Sequence, residues 1–225
     1  MLTIIIPTLN AEASLPATLK SVYLQDLEGL EVFVVDGGSV DKTCEIAGEL
    51  GASVLNSEPG RGLQLAFGAA ETSDDWLLFL HADTRLPKNW DDDVRRFMTD
   101  PLNTERAAYF KLGFDDRSKG ANRVASLANW RAKAWGLPYG DQGLLIHREL
   151  YDLVGGYNQN LKLMEDVDLA QRLGPMRLKS LRAYVITSAD KYRAGGWWAR
   201  PARNLLCLGL FLAGAPNRWI EGLYK

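Results

Sequence analysis

A chain of 225 residues, 47% of them hydrophobic, is long enough to bury one generous core and too short for two ordinary domains. Its 26 Lys and Arg against 28 Asp and Glu leave a net charge of -2, which excludes a general electrostatic drive toward nucleic acid, so any phosphate must be recognised locally. The two cysteines, Cys44 and Cys207, lie far apart in apolar helical patterns, as expected of reduced, packed thiols in a cytosolic protein and not of a disulfide framework or a zinc site.

The opening residues, Met1 to Pro7, lack the basic flank, long apolar stretch and cleavage site of a secretory signal. They read as a first strand over Ile4 to Ile6, broken by Pro7-Thr8-Leu9-Asn10 before Leu15, Leu19 and Val22 recur at helical spacing. Val32 to Val35 predicts a second strand that leaves through Asp36-Gly37-Gly38-Ser39 into a helix with Asp41 as its N-cap and Gly51 as its stop. A third strand over residues 52–55 follows, and Gly60-Arg61-Gly62 opens an alanine-rich helix from Leu63 to Ala70. Trp76 to Leu80 is an unbroken apolar run that stops abruptly at His81-Ala82-Asp83, the pattern of a strand buried on both faces of a parallel sheet.

Beyond this point the periodicity is less regular. Ala108, Phe110, Leu112 and Phe114 alternate with less buried neighbours and predict a half-exposed strand. Residues 121–135 predict a helix, residues 143–147 a strand, and a short helix runs from about Glu149 to Gly155-Gly156. Met164-Glu165-Asp166-Val167-Asp168-Leu169 begins a helix that Gly174-Pro175 ends. The apolar run from Leu205 to Ala215 falls short of the roughly 20 residues that span a bilayer. Strands alternating with helices at these lengths predict an α/β fold with a right-handed, mostly parallel central sheet flanked by helices.

Four constellations carry chemistry. In a doubly wound sheet the loops at residues 7–12, 36–39 and 60–62 converge on one edge. They offer a carboxylate for a ribose or base edge, flexible backbone, and the Arg61 guanidinium for phosphate. Neither a dinucleotide fingerprint nor a Walker loop is present, and Asp36-Gly37-Gly38-Ser39 taken alone also suits an ordinary strand-to-helix turn. In the second constellation, side-chain alternation sends His81 and Asp83 to the same side if the chain stays extended. Magnesium or manganese prefers oxygen, which makes Asp83 the better ligand; the competing reading is a solvated turn. In the third, Glu165, Asp166 and Asp168 either suit a helix N-terminus through its dipole or divide the work of accepting a proton and placing an acceptor. The fourth is the late cluster of Lys191, Tyr192, Arg193, Trp197, Trp198, Arg200 and Arg203. It reads as a diphosphate-stabilising arginine with tryptophans closing over a sugar or lipid, as interfacial membrane docking, or as a core helix with snorkelling arginines.

Taken in order, the segments 4–12, 34–43, 78–83 and 164–169 resemble the family 2 glycosyltransferases of GT-A fold, over residues 2 to about 190. Gly60-Arg61-Gly62-Leu63-Gln64 and Gly140-Asp141-Gln142-Gly143 look most like a small bacterial subgroup, here with a His-Ala-Asp metal motif. The resemblance implies a single Rossmann-like domain over 1–225: a nucleotide-binding half over about 1–100, an acceptor-side half over about 101–190 and a helical C-terminal tail over about 191–225. It implies inverting transfer of a sugar from a nucleotide diphosphate-sugar, a UDP- or GDP-sugar, to a lipid-linked or small-molecule hydroxyl acceptor. Asp36 would recognise the nucleotide, with Pro7, Thr8, Asn10, Glu12, Gly38, Ser39, Arg61, Gln64, His81 and Ala82 on the donor side. Asp83 would ligate manganese or magnesium and Asp166 would be the general base. Glu165 and Gln142 would position the acceptor, with Arg193 a phosphate partner and Trp197 beside the acceptor. Relatives often carry aspartate where this chain has His81.

A sugar-phosphate nucleotidyltransferase is a second enzyme reading, weighed down by the lack of glycine and lysine between Thr8 and Ser14. A nucleotide-sugar-binding protein without catalysis is the third, motivated by His81 and opposed by Glu165-Asp166. The expected location is the cytoplasm, with peripheral contact at the inner face of a membrane through the C-terminal tail.

Overall fold

The structure is a computed structural model describing residues 1–25 and 27–224; Asp26, Lys225 and the side chains of Lys191, Ala194 and Tyr224 lie outside the described residues. Three consecutive β-branched residues, Ile4, Ile5 and Ile6, favour an extended backbone, and β1 (Leu2–Thr8) is buried along its whole length. After it come α1 (Leu15–Val22), β2 (Leu30–Asp36), α2 (Thr43–Glu49), β3 (Ser53–Asn56), α3 (Arg61–Ala70) and β4 (Trp76–Phe79). Ile4 and Ile6 pack in the core with Leu15, Leu19 and Val22 of α1, whereas Ile5 points into the opposite core with Leu65 and Ala69 of α3. α3 lies close to the sheet because Gly68 has no Cβ: one there would sit 2.7 Å from Ile5 Cγ2 and 2.8 Å from Val35 Cγ2.

The second half adds β5 (Thr84–Arg85), α4 (Trp90–Met98), β6 (Ala107–Phe114), α5 (Lys119–Trp135), β7 (Leu144–His147), α6 (Arg148–Leu153) and α7 (Glu165–Leu173). It continues with β8 (Leu178–Thr187), α8 (Asp190–Gly195), α9 (Ala199–Leu212) and α10 (Asn217–Tyr224). Among the described residues the sheet runs β3-β2-β1-β4-β7-β6-β8-β5. The β3/β2, β2/β1, β1/β4 and β6/β8 ladders are parallel, and β4/β7, β7/β6 and β8/β5 are antiparallel. The expected parallel sheet is therefore the first half, and the second half is mixed.

This reversal matters for position. The register sets Thr8 beside Asp36 and Asp36 beside Asn56, so the carboxyl ends of β1, β2 and β3 form one edge. β7 runs the other way, which brings the loop before it, Gly140 to Gly143, to that same edge. β6 and β8 again run with β4, so Ser188 after β8 arrives there too, donating its backbone N–H to Asp83 O at 3.4 Å.

Several expectations need correction. The strand over 107–114 is buried almost throughout, because β7 and β8 flank it and α5 covers a face that alternation alone leaves open. Asp41 is not the N-cap of α2; that position is Lys42, while Asp41 Oδ1 accepts from the Thr43 backbone at 3.0 Å, one residue further out. The backbone does not stay extended through His81-Ala82-Asp83: Thr84 N donates to His81 O at 3.1 Å and closes a turn. β5, α4 and β8 carry no expectation from the sequence, whereas α8, α9 and α10 fill the expected helical tail. β8 alternates poorly, with Lys179, Ser180, Arg182 and Tyr184 exposed.

Gly62 fixes the N-terminus of α3 against the chain that leads into α7, its N–H donating to Leu161 O at 3.2 Å. A Cβ there would overlap Asn158 O and lie 2.6 Å from Leu161 O. Both neighbours are backbone and cannot swing aside. Gly62→Ala is expected to lose about 1–3 kcal/mol, the range for overpacking, read from urea denaturation midpoints; an unchanged midpoint would contradict this packing.

Candidate active site

Two cavities open at the carboxyl edge. The wider, of about 610 Å³, is lined by Pro7, Thr8 and Asn10 after β1, Gly60, Arg61 and Gln64 at the start of α3, and His81, Ala82 and Asp83 after β4. The narrower, of about 120 Å³, shares Arg61, His81, Asp83 and Ser188 and adds Tyr139, Gly140, Asp141, Met164, Asp166 and Thr187. Arg61, His81, Asp83 and Ser188 thus stand on the seam between them. His81 reaches this seam because Gly140 has no side chain; a Cβ there would overlap its Nε2.

The wall of the wide groove is held from behind. Asp36 is 2% exposed and does not line either cavity; its carboxylate accepts from Thr8 Oγ1 at 2.9 Å, Gly38 N at 3.0 Å, and Ser39 N and Oγ at 2.7 and 2.5 Å. Burial pushes this carboxyl up, but the hydrogen bonds from Ser39, Thr8 and Gly38 outweigh it and hold it below the ordinary value. Asn10 N donates to Ser39 Oγ at 2.7 Å and Asn10 Oδ1 accepts from Val40 N at 3.0 Å. Glu12 Oε2 accepts from Lys42 N at 3.1 Å. Gln64 donates to Thr8 O and Val35 O at 2.8 and 2.7 Å. Asn10 pays for this stitching with a left-handed backbone, φ +51°.

The other wall is built at the start of α7. Met164 takes φ +63°, a conformation rarely adopted without glycine, and turns the chain so that Glu165 and Asp166 enter the helix on different sides. Glu165 is fully buried, and Arg61 Nε lies 3.1 Å from its Oε1. Burial pushes the Glu165 carboxyl up to about 7, with Arg61 pulling down and Asp166 pushing up. Asp166 faces the narrow cavity, its Oδ2 accepting from Gly140 N at 2.7 Å. Asp141 lies across from it, and burial pushes this carboxyl up to about 6, Arg131 opposing while Asp166 and Asp83 add to the rise.

The structure therefore gathers Thr8, Asn10, Arg61, Gln64, His81, Asp83 and Asp166 around one pair of cavities. It sets Asp36, Gly38, Ser39 and Glu12 behind the groove as its framework. Gln142, expected beside an acceptor, is fully buried, its amide donating to Phe110 O at 3.1 Å, and it faces neither cavity. Arg193, expected at a phosphate, is bound outside the cavities by Asp115, Asp116 and Asp190 at 3.2, 3.2 and 2.7 Å. Trp197 stacks on Tyr192 with centroids 5.2 Å apart and packs on Phe114. Arg200, Tyr192 and Asn204 line the narrow cavity in their place. Asp141 enters the site without a role expected from the sequence, although its Gly140-Asp141-Gln142-Gly143 segment is a signal; Thr187 and Ser188 carry no sequence signal, since nothing in the pattern predicts the strand that delivers them.

Asp83 and His81 are the candidate metal ligands. Among the described residues no group of three or more His, Cys, Asp or Glu is arranged to hold a metal ion. One carboxylate on the seam suits a hard cation that takes most of its oxygens from a phosphate ligand and water, as magnesium does. The residues present fit that mode and not an all-protein cage.

A family model described as "Glycosyl transferase family 2" matches residues 3–151. A Mycobacterium tuberculosis protein, "PGL/p-HBAD biosynthesis glycosyltransferase", is 41% identical over 99 residues, 38% of this chain and 36% of that relative. The match thus spans little more than a third of that relative's length. Among solved structures, a Pyrobaculum calidifontis mannosyltransferase, described in complex with GDP-Man and Mn2+, aligns over 99% of this chain and 68% of its own at TM-score 0.69 and 21% identity. S. aureus TarS 1-349, described in complex with UDP-GlcNAc, aligns over 83% of this chain and 58% of its own at TM-score 0.65 and 18% identity. Both are likenesses of fold, and the fold they share with this chain is GT-A.

The buried carboxyls link the site to pH. Glu165 binds its proton more tightly folded than unfolded, so its contribution to stability is full below its ordinary value of 4.5 and is lost as pH rises through about 7. Asp36, held below its ordinary value, acts in a separate and more acid window, losing its contribution as pH falls below 3.8. Urea midpoints of the wild-type chain are expected to fall between pH 5 and pH 7.5, and Glu165→Gln to fall less, with Asp141 supplying the residual slope. Identical slopes in both proteins would contradict this assignment.

Proposed function

Because the chain belongs to glycosyl transferase family 2, we propose that it moves a sugar from a nucleotide diphosphate-sugar to a hydroxyl acceptor with inversion at the anomeric carbon. The observation that carries this reading is that Asp83 and Asp166 line one cavity, with Arg61 between that cavity and the wide groove. The groove, with its hydrogen-bonded walls, takes the nucleotide. Its diphosphate lies at the seam, where the Arg61 guanidinium offers charge-assisted hydrogen bonds.

Asp83, with His81 beside it, would hold a divalent cation there, manganese or magnesium, which would neutralise charge building on the leaving diphosphate. The chain's own residues do the rest. The acceptor hydroxyl approaches from the Asp166 side, and its oxygen forms the new bond to the anomeric carbon as the bond to the diphosphate oxygen breaks. Asp166 takes the hydroxyl proton, and the electron pair leaves with the nucleoside diphosphate. Glu165, buried and paired with Arg61, positions that guanidinium without touching the reacting atoms. UDP and GDP both suit a donor of this kind, and the donors described for the two structural neighbours, GDP-Man and UDP-GlcNAc, support a nucleotide sugar as the class.

Asp166→Asn is expected to lower transfer or donor hydrolysis by about 10²–10⁴-fold, the span of a general base, while a nucleotide sugar with manganese still raises the melting midpoint as a native-state ligand does. Asp83→Ala is expected to abolish turnover and the manganese dependence of that midpoint shift with little loss of folding. Full turnover in Asp83→Ala, or in the wild-type chain with excess chelator, would overturn the assignment of Asp83. Full turnover in Asp166→Asn would overturn the base.

A further inference from the structure

The narrow cavity does not end at Asp141. Tyr139, Asp141, Tyr192 and Asn204 also line a second hollow, of about 230 Å³, between α5 and α9. Its character differs from that of the groove on the donor side. Leu127, Trp130, Trp135 and Leu205 stand around it with 50–59% of each residue exposed. Four large apolar side chains left open around one concavity are unusual for a surface that meets only water. Trp130 and Trp135 support each other edge to face, with centroids 5.2 Å apart, and Arg131 lies over the Tyr139 ring, which stiffens the wall nearest the site.

Where the two hollows meet, Asp141 Oδ1 is buried without a hydrogen-bond partner among the described residues. A buried carboxylate oxygen without a donor is costly, so a ligand that crosses this junction gains by donating a hydrogen bond there. The apolar hollow thus opens from the cavity that Asp166 lines and shares no lining residue with the wide groove, with one unsatisfied acceptor at the threshold.

We propose that this cleft seats the apolar part of an amphiphilic acceptor, a hydroxyl-bearing head attached to a hydrocarbon or aromatic group, with a head hydroxyl donating to Asp141. The transfer is unchanged: the reacting hydroxyl oxygen bonds to the anomeric carbon, the diphosphate leaves, and Asp166 receives the proton. This rests on the glycosyltransferase reading of the site and adds the chemical class of the second substrate. A membrane surface is the less favoured occupant, because the hollow is concave and runs into the cavity.

The test uses alkyl β-D-glucosides as probes, from methyl to octyl, below their micelle concentrations. Binding to the full chain, loaded with UDP and manganese, is read from tryptophan fluorescence. Affinity is expected to rise by roughly fourfold for each added methylene that is fully buried, and Leu127→Glu or Leu205→Glu to weaken octyl glucoside at least tenfold. Both positions are exposed, so the variants are expected to keep wild-type melting midpoints and the donor-induced shift. Affinity independent of chain length, or variants that bind octyl glucoside as the wild type does, would overturn the proposal while leaving the donor reading intact. If no nucleotide sugar shifts the midpoint of the wild-type chain, the donor reading fails and this proposal with it. Sedimentation with phosphatidylcholine vesicles that Leu127→Glu abolishes, with no binding of soluble octyl glucoside, would make the cleft a membrane contact and overturn it as well.

Discussion

Arg61 and Glu165 meet across the two halves of the chain, 3.1 Å apart, with Glu165 inaccessible to water. Burying an ion costs several kcal/mol even after relaxation, and a pair of this kind is often no better for stability than apolar packing. Its consequence here is geometric. Arg61 opens α3 and Glu165 opens α7, so the pair locks two helix N-termini together, and Gly62 presses the first of them onto the loop that precedes the second. With 3.6 residues per turn, a Glu165 turned fully inward leaves its neighbour Asp166 pointing sideways, toward the cavity shared with Asp83. The placements of Asp166, the proposed base, and of the Arg61 guanidinium, proposed to meet the diphosphate, follow from one contact.

The remaining carboxylates divide into those that build and those that act. Asp36 is surrounded by donors from its own loop and from β1, and the energy of those hydrogen bonds goes into holding the rim of the groove. Asp166 and Asp83 face the cavities, and both are carried on backbone that is itself constrained, Asp166 by the left-handed Met164 and Asp83 by the turn that Thr84 closes on His81. A rigid rim and fixed carboxylates suit chemistry in which most of the rate comes from orientation and charge placement.

The first half was legible in the sequence because each strand there is a short apolar run ending in a polar exit, and parallel strands buried on both faces write that pattern plainly. Asp36 and Asp83 stand out for the same reason, each just past an apolar run, whereas Arg61 is marked by the glycines on either side of it and Asp166 by the adjacent Glu165 at the start of a helix. The second half was less legible. β8 begins with Lys179 and Ser180 exposed in succession, which breaks its alternation, so neither it nor the Ser188 it delivers could be read. Gln142 and Asp141 are neighbours in one loop, and nothing local says which faces inward; the 3-10 turn over Gly140–Gln142 buries the amide and leaves the carboxylate at the cavity. Arg193 and Arg200 are likewise seven residues apart in one basic cluster, and Asp115 and Asp116 from a distant loop, with Asp190 one turn back on the same helix, decide that Arg193 stays outside.

The claim on which the account turns is that Asp166 and the diphosphate-binding groups stand on opposite sides of the reacting carbon. The configuration of the sugar first released from an α-linked nucleotide sugar tests it most directly, followed by proton NMR before the anomers equilibrate. Water or an acceptor activated by Asp166 must give the β-anomer first. Release of the α-anomer first would mean that the incoming oxygen arrives on the face the diphosphate leaves, and would contradict the roles proposed for Asp166, Arg61 and Asp83.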